Sequence, residues 1–364
     1  MTPRAVKGQA NMPATVTVVV IRSLSFTGTT WINTLLGCHP RAFALGPPDR
    51  VIDLYEQGWH DACRVHGSEC TFWPEFHEQY DPEGNFYLQL ARFAGKDHIV
   101  INNPFAGTKA SRDLDHPDIT VREMRVVRDG RAICRSYARN YPDSGFLHAV
   151  REWFLGAAES FDFAPDDPEV LSMRYEDVVA DQFAWIRRFG EFLHLSYPDN
   201  AHKFWEFEHH IAAGNPGMWA FLAQHQAGRD MNFKRSGFYA SQYARLLREP
   251  EKPINDDSWK AELTRWDRAV FDYYCGHINA RWGYRRDTFE ADELEKVKSL
   301  DEPGRPDEPA PVPASGDDNP SSDKRPGRLR RAVRRCFGGG RQVVAAPTSF
   351  LDSPDRDYWM EVIR

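Results

Sequence analysis

The segment Ser23-Leu24-Ser25-Phe26-Thr27-Gly28-Thr29-Thr30 combines hydroxyl side chains with a glycine just ahead of an apolar helical pattern. Such a segment suits a phosphate group. Free N–H groups and the positive dipole end of a helix start face the ligand, glycine lets the backbone come close, and Thr29 and Thr30 add hydroxyl donors. The spacing from Ser23 to Gly28 is that of a nucleoside triphosphatase loop, but Thr29 stands where that loop carries its lysine, which disfavours a kinase or ATPase dependent on it. The plainer reading is a Ser/Thr-rich turn capping a helix.

A second candidate anion site is the run Arg128-Asp129-Gly130-Arg131-Ala132-Ile133-Cys134-Arg135-Ser136-Tyr137. An arginine fork leaving a strand, with the Ser136 hydroxyl two turns into the next helix, would clamp a separate phosphate. A salt-bridged strand end is the alternative.

The elements that must position these residues follow from hydrophobic patterning. Residues 15–21 form a β-branched run suited to a buried parallel strand, and positions 31, 32, 35 and 36 recur at helical spacing before His39-Pro40. Further strands are predicted at 98–101, 121–127 and 170–173, with helices at 131–139, 183–195 and 259–282. Strands alternating with helices predict an α/β fold: one domain with a central parallel sheet flanked by helices.

The two anion segments together resemble the sulfotransferases that use 3′-phosphoadenosine 5′-phosphosulfate (PAPS). In that family a Ser-Gly-Thr-Thr-Trp loop binds the 5′-phosphosulfate, and an Arg with a Ser eight residues later binds the 3′-phosphate. The matching residues are Thr27-Gly28-Thr29-Thr30-Trp31 and the pair Arg128 and Ser136. Leu35-Leu36-Gly37-Cys38-His39-Pro40 is similar to the family's continuation of its first helix. Arg174-Tyr175-Glu176-Asp177-Val178 resembles the element whose tyrosine lies against adenine, and Trp259-Lys260-Ala261-Glu262-Leu263 with Gly283-Tyr284 resembles the closing elements of bacterial members. Lys234-Arg235-Ser236-Gly237 is similar to the basic strip that touches the 3′-phosphate. The resemblance runs in order from residue 15 to about 285 and implies a P-loop-like sulfotransferase architecture. It also implies PAPS as co-substrate, leaving as 3′,5′-adenosine bisphosphate (PAP), and no metal.

Sulfuryl transfer needs donors or a cation at the bridging oxygen and a base for the acceptor hydroxyl. The family's usual cation lies two residues before the loop glycine, where this chain has Phe26; the nearest cation is Arg22, which would either fold over the loop or anchor its strand. The usual histidine base falls at Asn102, which is not a useful proton acceptor. Members that act on carbohydrates use a carboxylate after the first helix, and Asp49 in Leu45-Gly46-Pro47-Pro48-Asp49-Arg50 takes that place, or is a turn residue. Glu56, His98 and His148 are further candidates. The default acceptor is a carbohydrate or another hydroxylated small molecule. Aromatic clusters at Phe72-Trp73, Phe86-Tyr87 and Phe204-Trp205-Glu206-Phe207 would line its cleft or, more often at such spacing, fill the core. Two rival readings are a nucleotide kinase of the same sheet architecture and a PAPS-binding interaction protein that no longer catalyses.

The 364 residues are 41% hydrophobic, and the net charge of −7 gives no global reason to expect nucleic acid. No stretch has the ~20 apolar residues of a membrane helix, and no long apolar run follows the basic N-terminus, so a cytoplasmic protein is expected. The six cysteines make no disulfide framework and show no metal spacing; Cys63 and Cys70 would pair only in an oxidising compartment and are otherwise reduced thiols. Residues 1–14 read as a disordered leader ahead of a domain at 15–289. Residues 290–323, with eleven acidic and three basic side chains and repeated prolines, read as a disordered linker. Residues 324–341 carry eight Lys/Arg and no acid, suited to pairing with that linker or to peripheral contact with acidic lipid, and residues 342–364 form a C-terminal tail.

Overall fold

The computed structural model describes residues 15–301 except 56–57, 60–61, 161–166 and 230–236. The leader at 1–14, most of the acidic stretch, the basic segment and the tail lie outside the described residues. Contacts cluster the chain into two compact units, Met1–Arg128 with Asp162–Asp256 and Asp129–Phe161 with Asp257–Arg364.

The first unit holds a five-stranded sheet of β1 (Val16–Ser23), β2 (Ala42–Gly46), β3 (His98–Asn102), β4 (Ile119–Val127) and β5 (Val170–Arg174). Every pairing is parallel, in the order β2-β3-β1-β4-β5. A central parallel strand is covered on both faces, so it reads as a continuous apolar run. Val18, Val19, Val20 and Ile21 of β1 and Ile99, Val100 and Ile101 of β3 are buried accordingly. The strand β2 was not predicted. Ala-Phe-Ala-Leu-Gly has little β-branching, yet its small side chains suit close approach of the first helix: a Cβ on Gly37 would stand 2.5 Å from that of Ala44. The path from β1 leads to one side of the sheet and that from β4 to the other. The crevice beyond the carboxyl ends of β1 and β4 is therefore the switch point at which open α/β sheets bind ligands.

The aromatic clusters are core. Trp73, Phe86, Tyr87 and Phe204 are fully buried, and Trp59 stacks on Phe76 at 5.2 Å between ring centroids with edge-on contact to Trp73 at 5.8 Å. Phe72, Trp205 and Phe207 pack against the same cluster from partly buried positions.

The second unit is helical: Gly130–Asn140, Gly145–Ser160, Trp259–Glu262, Arg265–Arg281 and Ala291–Lys298. The region expected as one helix over 259–282 breaks at Leu263, because Thr264 and Asp267 form a reciprocal capping box that starts a new helix. The helix Ala291–Lys298 lies within the stretch that composition assigned to the linker. A Glu290–Glu293 capping box, an Asp292–Lys296 ion pair one turn apart and the buried Val297 support it, and Glu293 accepts two bonds from Arg265 at 2.6 and 2.7 Å. Gly130 starts its helix between aromatic rings, where an added Cβ would lie 2.5 Å from Phe271 Cζ and 2.7 Å from Trp153 Cζ2. Gly130→Ala should cost about 1–3 kcal/mol by overpacking, read as a lower denaturation midpoint; unchanged stability would mean that this ring packing is wrong.

Candidate functional site

The loop from Leu24 to Gly28 joins β1 to the helix Thr29–Leu36, and backbone geometry sets its shape. Gly28 has φ 91° and Phe26 φ 65°, both left-handed, a conformation costly for phenylalanine. The buried Thr27 turns its hydroxyl inward to donate to the Leu24 carbonyl at 2.7 Å. Gly28, at the N-cap, has no side chain to cap the helix start, so among the described residues no N-cap hydroxyl or carboxylate takes the Thr29 and Thr30 N–H groups. Thr29 is half-buried, and the Thr30 hydroxyl oxygen accepts the Asn215 N–H at 3.0 Å.

Tyr175 opens the helix Tyr175–Ala180 directly after β5 and supports this loop. Its ring edge is so close to Gly28 that a Cβ there would lie 2.5 Å from Tyr175 Cε2, and Trp31 meets the same ring edge-on at 5.9 Å. The Tyr175 hydroxyl donates to the Ile254 carbonyl at 2.7 Å. Only glycine satisfies both the positive φ and this contact.

Arg128 follows β4 across the crevice. Its side chain is buried and lies over the Tyr175 ring at 4.7 Å, donating to the Phe26 carbonyl at 3.0 Å and the Asp256 carbonyl at 2.7 Å. Its Nε is buried without a partner, and among the described residues no carboxylate forms an ion pair with it. A buried cation that lacks a counter-charge is costly, and an anion delivered to the crevice would relieve that cost. The neighbouring Arg131 is already neutralised by Asp129 and Asp287, each at 2.7 Å, and stacks on Trp259. Only the first arginine of the Arg-Asp-Gly-Arg run is thus left for a ligand. Ser136 is buried on the helix Gly130–Asn140 of the second unit, whereas Arg128 closes the first. Lys234 and Arg235 lie outside the described residues.

Among the candidate catalytic groups, Arg22 pairs with Glu123 on β4 at 2.9 Å, and Glu123 also holds Arg125 at 2.7 Å. Arg22 therefore anchors its strand rather than folding over the loop. Asn102 is engaged by Asn33 of the first helix at 3.3 Å. Asp49 is the second residue of the helix Pro48–Ile52 and is buried, with Oδ2 accepting the Phe105 N–H at 2.8 Å. Burial pushes its carboxyl above the ordinary range, against the opposing hydrogen bonds from Thr108 and the Phe105 amide. His98 begins β3 at the amino end of the sheet, bonded to Asp97 at 2.7 Å, away from the loop after β1. His148 lies in the second unit beside Tyr137, and Glu56 is outside the described residues.

Two site-building residues escaped sequence reasoning. Asn103, at φ 34°, donates to the Ser23 carbonyl at 2.6 Å and accepts the Ser23 N–H at 3.1 Å, clamping the end of β1. Two residues later the Phe105 amide holds Asp49, so this clamp joins the carboxylate to the loop end of the sheet. Asn215 caps the helix Pro216–Ala227 and also reaches Thr30. The signals were Asn103-Pro104 after a strand and the turn sequence Gly214-Asn215-Pro216.

No family model matches the chain, and no curated protein matches it. Among solved structures, the chain is similar to the sulfotransferase domain from the Synechococcus PCC 7002 olefin synthase. Identity is 16% and the TM-score 0.47, over 76% of this chain and 98% of that one. The sulfotransferase domain from the curacin biosynthetic pathway gives 12% and 0.43, over 75% and 99%. Retinol dehydratase in complex with androsterone and the inactive cofactor PAP gives 16% and 0.33, over 78% and 85%. The chain is similar to sulfotransferase structures. The roles of its residues rest on its own geometry.

Proposed function

We propose that this chain is a PAPS-dependent sulfotransferase acting on a hydroxyl or amine of a small molecule or carbohydrate. The carrying observation is the buried Arg128 guanidinium, which has no carboxylate partner among the described residues and bonds the carbonyl of Phe26 within the Gly28 loop at the sheet's switch point. The loop and Arg128 supply two anion-binding groups at one crevice, as a nucleotide with separate 5′ and 3′ anions requires. The ordered sequence resemblance supports PAPS as that nucleotide, and the missing loop lysine weighs against a nucleoside triphosphate.

In this reading the loop N–H groups, Thr29 and Thr30 hold the sulfonate and the departing 5′-phosphate. Asp49 takes the proton of the acceptor hydroxyl as its oxygen attacks sulfur. The bond from sulfur to the bridging oxygen breaks, and PAP departs with that electron pair. Arg128 binds the 3′-phosphate, and Tyr175 shapes the wall between loop and arginine.

A second reading, nucleotide binding without transfer, draws on Phe26 at the family's cation position and on the engagement of Arg22 by Glu123. Transfer of radiolabelled sulfate from PAPS to a broad pool of hydroxylated and amine acceptors separates the two. Labelled product is expected; PAP binding with no labelled product from any acceptor would overturn the enzymatic reading.

A further inference from the structure

A cluster outside the crevice carries chemistry that the transfer reaction does not use. Cys63, His66 and Cys70 meet His210, and one ligand atom from each lies within 4.8 Å of all the others. Cys63 Sγ is 3.4 Å from His66 Nδ1, and Cys70 Sγ is 3.5 Å from His210 Nδ1. Zn–S and Zn–N bonds of about 2.3 and 2.0–2.1 Å at a tetrahedral angle place sulfur and nitrogen ligands about 3.6 Å apart. The observed spacing is thus that of ligands arranged around one ion.

We propose that Cys63, His66, Cys70 and His210 form a structural zinc site. Two thiolates and two imidazoles in a compact set suit zinc, and four protein ligands leave no open position for catalysis. The surroundings are built as outer ligands of a metal site are. The His66 N–H donates to Cys63 Sγ at 3.4 Å, and His210 Nε2 is held by the Glu208 carboxylate at 3.2 Å, leaving Nδ1 directed at the cluster. Phe72 stacks on the His210 ring at 4.4 Å, and Trp73 Nε1–H donates to the His210 carbonyl at 2.9 Å. A Cys63–Cys70 disulfide would give neither imidazole a reason to face a sulfur, and both cysteines are free thiols. The sequence shows no four-ligand metal spacing because the fourth candidate ligand stands 140 positions from Cys70.

The site would fix the strap at residues 210–215, whose end contacts Thr30 just after the anion loop. The Arg64 amide donates to the Ile211 carbonyl at 2.7 Å, binding the Cys-His turn to the strap. Beyond it the Ala213 carbonyl oxygen lies 3.2 Å from where a Gly46 Cβ would be, and Asn215 holds Thr30. A metal at His210 therefore anchors the segment leading to the Thr30 contact.

The test is the metal content of the full untagged chain by inductively coupled plasma mass spectrometry. The expected result is about one zinc per chain, lost in Cys63→Ser and His210→Ala and kept in Cys134→Ser. If those variants do not fold, replacement of zinc by cobalt in the wild-type chain decides. Tetrahedral cobalt bands with thiolate-to-cobalt charge transfer are expected, and a lower melting temperature on chelation should accompany them. A chain without zinc that gives no such cobalt spectrum would overturn the proposal. So would an intact mass two hydrogens lower with Cys63 and Cys70 protected from alkylation. None of these readouts depends on nucleotide binding.

Discussion

Arg128→Ala is expected to weaken PAP binding by roughly 30- to 150-fold, equivalent to about 2–3 kcal/mol for a charge-assisted phosphate contact. The free protein already bears the cost of burying this guanidinium, which is held by the Phe26 and Asp256 carbonyls over the Tyr175 ring with no carboxylate partner among the described residues. A bound phosphate would supply the missing charge and reach the unpaired Nε. Lysine cannot span both carbonyls while presenting a planar fork, so Arg128→Lys should recover only part of the loss. The rise in melting temperature produced by PAP should shrink in parallel, because a ligand stabilises only as far as it binds the folded chain. An unchanged dissociation constant would place the 3′-phosphate elsewhere.

Asp49→Asn is expected to lower turnover by about 100-fold or more while leaving PAP affinity unchanged, the range of a lost general base. Asparagine keeps an oxygen for the Phe105 amide, so the local structure should survive. The pH dependence provides a further check. Burial raises the Asp49 pKa in the folded chain, so the acid limb of the wild-type rate profile should lie above the ordinary aspartate range and vanish in the variant. The same shift means that the folded state holds this proton more tightly than the unfolded one. Its stabilising contribution is therefore full below the unfolded pKa and declines as pH rises through the folded value. Asp49→Asn should accordingly show no loss of stability at neutral pH. A variant that unfolds, or one with normal turnover and an unmoved acid limb, would contradict the role as base.

How far the sequence was legible follows the distance over which each signal acts. The strand, loop and helix around Gly28 sit within about twenty residues, and apolar patterning and turn chemistry located them. Arg128 was visible because it leaves a patterned strand for a patterned helix. The behaviour of Arg22 was undecidable locally: parallel pairing sets it beside Arg125 and within reach of Glu123, and that register belongs to the sheet. Short β2 was missed because Ala42, Ala44 and Gly46 carry little strand propensity, although its burial is complete. Asn103, Asn215 and His210 act on residues 80 to 185 positions away, and no local pattern shows a partner that distant.

The proposed donor site for PAPS is built from the Gly28 loop and Arg128. Isothermal titration of the full chain with 3′,5′-adenosine bisphosphate and with ATP, with and without magnesium, tests it most directly. The expected result is tight, magnesium-independent binding of the bisphosphate and weak binding of ATP. Tight magnesium-dependent ATP binding with no affinity for the bisphosphate would contradict the account and point to a nucleotide kinase.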